Sequence, residues 1–170
     1  MSNKTQRFTL GLLALEGSVL SSLIGPADMF RIAQQLAKVR EPATKLRLET
    51  VLIGARGLST VTGTAGLQLN GVQSPDHALD VVLIPGFMHT SAEDVIHKLA
   101  DYKPEIELIR ALHLRGIPIA AACCGSFLLA EAGLLDGHEA TTSWWLDATF
   151  RNRYPKVQLN VEKMIVEDGR

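Results

Sequence analysis

An unbroken apolar run, Ile117-Pro118-Ile119-Ala120-Ala121-Ala122, passes directly into Cys123-Cys124-Gly125-Ser126-Phe127 and then into the helical pattern Leu128-Leu129-Ala130-Glu131-Ala132-Gly133. A strand that turns abruptly into a helix through a cysteine, with glycine two positions later, has the layout of a nucleophile elbow. Such a turn exposes one side chain at the carboxyl edge of a sheet, beside helix N-terminal amides. Positive potential at that place favours thiolate. A buried structural cysteine behind a core strand fits the same spacing, so the spacing alone leaves both readings open.

Short apolar runs alternating with helical periodicity are the mark of a doubly wound α/β sheet. The runs are Phe8 to Leu15, Leu46 to Ile53, Val81 to Ile84 and Ile117 to Ala122. Apolar character on both faces implies parallel strands covered by helices. Between the first two runs, a helix is expected from Pro26 to Lys38, with proline at its start and Met29, Ala33 and Leu36 recurring at helical spacing on one face. Gly54 to Gly71, rich in Gly, Thr and Ser, reads as a hairpin excursion at the sheet edge. Helices are expected at about Ala92 to Tyr102 and Pro104 to Arg115. A short strand at Glu139 to Thr142 precedes a helix from Trp144 to Tyr154, stopped before Pro155. Val157 to Val166 alternates as a strand and leads into a turn at Asp168-Gly169-Arg170.

Composition narrows the function classes. One hundred and seventy residues suit a single domain with its own core. A net charge of −1 and a pI near 6.5 give no basic footprint for gripping DNA. The two cysteines are adjacent, so no disulfide framework exists, which suits a reducing cytosol. No apolar run reaches the ~18 residues that span a bilayer, so a soluble cytoplasmic protein is expected. The five histidines, at 77, 89, 97, 113 and 138, show no HxH or HExxH spacing and form no zinc set with the cysteines. The glycines of 54–71 do not follow a strand-to-helix turn as GxGxxG, which leaves nucleotide binding unsupported. No cofactor is expected.

The run AACCGSFLLAEAGLLDGHEATTSWW, with Leu23-Ile24-Gly25-Pro26, Val82-Leu83-Ile84-Pro85-Gly86 and Tyr154-Pro155, resembles the signature of the ThiJ/PfpI superfamily. That superfamily has the class I glutamine amidotransferase-like fold. More narrowly, the chain resembles the N-terminal domain of AraC-type transcriptional regulators over about Phe8 to Arg170. The resemblance implies a flavodoxin-like three-layer α/β sandwich with a mostly parallel sheet, a homodimeric habit, and a small-molecule effector such as an amino acid or quaternary amine. Relatives continue beyond Asp168-Gly169-Arg170 with a return strand and closing helix. In full regulators a helix-turn-helix domain follows and makes the DNA contacts. The chain, a single domain over 1–170, is therefore expected to be a piece of a longer protein.

Departures from the pattern bear on chemistry. Cys123 is the elbow residue, and Cys124 stands where hydrolytic relatives often carry histidine. The A-T-T-H-W histidine falls on Ser143, the early acidic position on Ser22, and the second glycine of the P-G-G turn on Phe87. A thiol without base, acid or formed oxyanion site lacks the constellation for covalent catalysis. The expectation is a ligand-sensing, dimerising domain with a degenerate elbow. Its candidate contacts are Cys123, Cys124, Gly86, Phe87, His89, Ser143, Trp144 and Glu16. His89 follows the Pro85-Gly86 turn at the carboxyl edge, where α/β sheets bind ligands, although a plain surface histidine fits too. Trp144 and Trp145 lie about 100° apart on a helix; the resemblance implies Trp144 in the core, with the other bordering the cleft beside Ser143 or a subunit interface. Glu16 ends the first strand and reads equally as a solvated loop carboxylate. Two alternatives stay open: a cysteine-dependent hydrolase or hydratase using Cys123, and a redox sensor using either thiol.

Overall fold

The structure, a computed structural model, describes residues 6–168. Four parallel strands form the central sheet in the order β2-β1-β5-β6: β1 (Gln6–Leu13), β2 (Leu46–Ile53), β5 (Val81–Ile84) and β6 (Ile119–Ala121). Between β2 and β5 the chain makes an antiparallel hairpin of β3 (Thr60–Thr62) and β4 (Gln68–Asn70), the excursion expected for the glycine-rich stretch. This hairpin is a separate two-stranded unit, tied back where Thr64 N–H donates to the Ser18 carbonyl in the loop after β1.

Strand alternation sorts the side chains into two cores. Leu13, Ile53, Val82 and Ile84 point to one face and pack under α2 (Ala92–Leu99), α3 (Lys103–Leu114), α4 (Ser126–Glu131) and α5 (Asp147–Arg153). Leu10, Leu12, Val81 and Leu83 point to the other, against Leu23, Ala27 and Phe30 of α1 (Ser21–Arg40). Helices on both faces of a mostly parallel sheet make the flavodoxin-like α/β sandwich that the sequence implied.

Several boundaries differ from the sequence expectation. The first strand runs from residue 6 to 13, not 8 to 15. Helix α1 begins five residues before Pro26, because Leu23 and Ile24 N–H both reach the Leu20 carbonyl and Leu23 is buried beneath them. The face shared by its Met29 and Leu36, which are 70% and 50% exposed, points away from the sheet. Strand β6 is shorter than its apolar run: Ile117 N–H still bonds Leu112 O of α3, and Pro118 has no N–H to give a ladder. The segment at 144–154 divides into a 3-10 turn, Trp144–Leu146, and α5. In the tail only β8 (Gln158–Leu159) is strand, paired parallel with β7 (Glu139–Ala140). The Asp168 carboxylate accepts from Glu139 N–H; the rest of the expected 168–170 turn lies outside the described residues.

The register of β5 and β6, Val82↔Ile119 to Ile84↔Ala121, brings the end of β6 directly over the Pro85-Gly86 turn. A Cβ built on Gly125 would sit 2.6 Å from Pro85 O and 3.0 Å from Ile84 O, both backbone atoms that cannot give way. Only glycine lets the elbow lie this close to β5. Gly125→Ala is therefore expected to destabilise the fold by ~1–3 kcal/mol, read as a lower urea midpoint. An unchanged midpoint would mean that the two backbones can separate at no cost.

Candidate functional site

The elbow turns at Cys123, whose φ of +55° lies in the left-handed region that L residues with a Cβ seldom occupy. A single such residue costs ~1–3 kcal/mol and persists only where its surroundings over-determine it. Here they do. Ala122 N–H donates to Ile84 O, Gly125 N–H returns to Ala122 O, and Cys123–Gly125 form a 3-10 turn into α4. Behind the turn, the Ser126 and Thr142 hydroxyls gather on the Cys123 carbonyl at 3.0 and 3.3 Å, and on each other at 2.8 Å. These two hydroxyls were not singled out in the sequence; the Thr141-Thr142-Ser143 run beside the tryptophans was the only available signal.

The strained turn leaves Cys123 exposed, with its Sγ 2.9 Å from Ser143 Oγ. Gly86 makes room for it: a Cβ there would be 3.3 Å from Cys123 Cβ. The thiol is held far below its ordinary range, at about 5. The first cause is the donor character of the neighbouring Cys124 thiol, followed by the opposing cost of partial desolvation, then the Ser143 hydroxyl, the Cys124 amide and the nearby His89 ring. Cys124 is fully buried, and the neighbouring Cys123 sulfur together with burial holds its own thiol protonated. One thiolate therefore exists in the pair, and it is the exposed one.

The other candidates divide by depth. Ser143 and His89 are half-buried beside Cys123, and the His89 Nδ1 lies 3.0 Å from Phe87 O. Trp144 is not in the core: it is 72% exposed and Trp145 54%, and the rings meet edge to face at 5.6 Å. The reason is that residues 144–146 form a tight 3-10 turn in which Leu146, not a tryptophan, supplies the buried side chain. Gly86, Phe87 and Cys124 are buried behind the cleft wall. The Phe87 ring packs on Tyr102 at 5.0 Å. Both turn amides are engaged: Gly86 N–H donates to Ser22 Oγ at 3.2 Å and Phe87 N–H to Cys124 Sγ at 3.2 Å. Ser22, at the acidic position of the resemblance, spends its own proton on Val19 O. Glu16 lies apart, exposed, with its carboxylate accepting from Thr62 N–H. Among the described residues no group of three His, Cys, Asp or Glu side chains is arranged to hold a metal ion.

A parallel sheet with a cysteine elbow at its carboxyl edge, facing a Pro-Gly turn, defines a class of α/β proteins. Residues 12–170 match the DJ-1/PfpI family, and the chain belongs to it. It is 26% identical over 164 residues to the HTH-type transcriptional regulator GbdR of Pseudomonas aeruginosa, a match taking in 95% of this chain and 41% of that protein. With isonitrile hydratase of Pseudomonas putida it shares 28% identity over 117 residues, 67% of this chain and 47% of that enzyme. The chain thus spans less than half the length of either. The crystal structure of an AraC family transcriptional regulator from Pseudomonas putida superimposes with a TM-score of 0.67 at 17% identity, covering 95% of this chain and 80% of that one, a likeness of fold.

Because the folded value of Cys123 is lowered, its thiolate is present above about pH 5. Alkylation by iodoacetamide, followed by mass spectrometry, is expected to reach half its plateau rate there and not near the ~8.5 of a free thiol. Ser143→Ala should move that midpoint upward by removing one donor to the thiolate. A wild-type midpoint near that of a free thiol would refute this account of the elbow.

Proposed function

We propose that this chain is the effector-sensing domain of an AraC-type transcriptional regulator, binding a small polar metabolite of the amino acid or quaternary amine kind beside Cys123. The observation that carries the reading is the exposed Trp144–Trp145 pair next to the Cys123–Ser143 contact, at the carboxyl edge of the sheet. Two edge-to-face indoles offer an aromatic surface to a cationic head group, and the Cys123 thiolate adds the complementary charge. The similarity to GbdR along nearly the whole chain supports the regulator class. DNA contact then belongs to a further domain, since the near-neutral charge of this one offers no grip.

In this reading the elbow no longer performs chemistry. Ser22 and Ser143 stand at the acid and base positions, and the Gly86 and Phe87 amides are already bonded within the protein, so neither is free to hold an oxyanion. Signal transfer requires unequal effector affinity for two arrangements of a homodimer. An outward stripe on α1, formed by Met29, Ile32, Leu36 and Val39 with Ile24, leaves on the order of 500 Å² of apolar side chain open, the scale at which a patch marks an interaction site. That area approaches the ~800 Å² per partner of a standard interface, and a second copy laying the same helix across it would cover both stripes.

The test is calorimetric titration of the protein with quaternary ammonium compounds and free amino acids. Trp144→Ala is expected to weaken a quaternary ammonium ligand by ~0.5–2 kcal/mol while leaving the melting temperature close to wild type, as an exposed ring should. Absence of binding by either class would remove the sensing assignment. The depressed Cys123 thiol and the similarity to isonitrile hydratase favour a second reading, a cysteine-dependent hydratase or hydrolase. Turnover of a simple isonitrile that disappears in Cys123→Ala would establish it instead.

A further inference from the structure

A groove apart from the elbow opens on the helical layer, where α2 ends, α3 begins and the last residues of α4 and α5 meet them. Its volume is about 410 Å³, within the ~300–1,000 Å³ of small-molecule sites. Ile96, Leu99 and Ile106 form an apolar floor continuous with the core beneath. Above them the rim is polar, with Lys103, Arg110 and Arg153 as its cations.

Two of these cations are held in place by the protein. Arg110 Nε and Nη2 donate to Ala132 O at 3.0 Å and Glu131 O at 2.7 Å, the carbonyls at the end of α4. Arg153 Nε and Nη2 donate to the Glu131 carboxylate at 3.1 and 2.9 Å, and the Tyr154 hydroxyl donates to the same carboxylate at 2.6 Å. Each guanidinium is thus fixed through Nε and Nη2, which leaves its Nη1 amino group outside these bonds. Donors already fixed lose little freedom when a ligand arrives. Lys103 and Glu107, one helical turn apart, are exposed, and among the described residues neither makes an ion pair or side-chain hydrogen bond. The three cations face two carboxylates, and that of Glu131 is already occupied. The rim therefore carries one excess positive charge beside an apolar floor.

We propose that this groove is a second ligand site, which binds an organic monocarboxylate with an apolar tail. The carboxylate accepts from the Lys103 ammonium and the uncommitted guanidinium amino groups, and the tail covers Ile96, Leu99 and Ile106. Charge complementarity selects the head group, since a cation would meet three like charges and a neutral group would forgo the excess one. The floor selects the tail, because an inorganic anion would leave it bare to water. Cys123, Ser143 and His89 do not line the groove, so its ligand is independent of whether the elbow senses or catalyses.

The test is titration of isotope-labelled protein with octanoate, octanol and octylamine, followed by methyl and amide spectra. Octanoate should shift the Ile96, Leu99 and Ile106 methyls saturably, and bind at least roughly threefold more tightly than either of the other two. Each methylene added between butanoate and octanoate should tighten binding roughly twofold to fourfold. Lys103→Glu should weaken octanoate roughly threefold or more, and Glu107→Gln should tighten it about twofold. Both side chains are exposed and unpaired, so both variants should keep the wild-type melting temperature. Equal affinity for the three head groups overturns the proposal, as does an octanoate affinity that both variants leave unchanged. Octanoate shifts confined to the Cys123 cleft, or no saturable shift at the three methyls, would overturn it as well.

Discussion

The close approach of two backbones, Gly125 against the carbonyls of Ile84 and Pro85, governs everything at the carboxyl edge of this sheet. It is possible because β5 and β6 pair in parallel register through Ile84↔Ala121, and because position 125 has no Cβ. Once the strands are locked, the chain has too little room to leave β6 by an ordinary extended path. Cys123 absorbs the difference in a positive φ, and α4 starts immediately behind it. The orientation of the exposed thiol, the enclosure of its neighbour and the turn facing both are consequences of that one contact. A strained residue held this firmly is the usual mark of a site whose geometry matters more than its stability.

Electrostatics follow from the same geometry. A single turn places one sulfur outward and the next inward, so two chemically identical groups meet opposite environments. The outer one receives donors from Cys124, Ser143 and a backbone amide, and ionises readily. The inner one pays desolvation and donates, and stays neutral. Because the two thiols interact, their titration belongs to the pair. The Gly86 and Phe87 amides of the facing turn are both engaged within the protein, by Ser22 Oγ and Cys124 Sγ.

Much of the fold was legible because parallel strands buried on both faces read as continuous apolar runs. Leu46–Ile53 and Val81–Ile84 coincide with β2 and β5, and the glycine-rich stretch with the β3–β4 hairpin. The misreadings share one cause: periodicity reports which residues are apolar, and does not report which neighbour covers them. Met29 and Leu36 do share a helical face as their spacing implied, and only the structure shows that this face points away from the sheet. Val157 to Val166 alternates well but finds a ladder partner only at Gln158–Leu159, since β7 itself ends at Ala140. Pro118 shortened β6 by lacking an N–H, a feature present in the sequence but outweighed there by the apolar run.

The site divides in the same way. The sequence by itself determined the strand-to-helix passage through Cys123, the adjacency of two thiols, and serine at positions 22 and 143, because each is a matter of residue type along the chain. It could not determine that Cys124 would reach across to the Phe87 peptide, that Ser126 and Thr142 would brace the Cys123 carbonyl, or that both tryptophans would stand in solvent. Those depend on the register of β6 against β5 and on a 3-10 turn that buries Leu146 in place of Trp144. A contact such as Phe87 with Cys124, 37 positions apart, is set by the packing of whole elements, and only the tertiary structure holds that information.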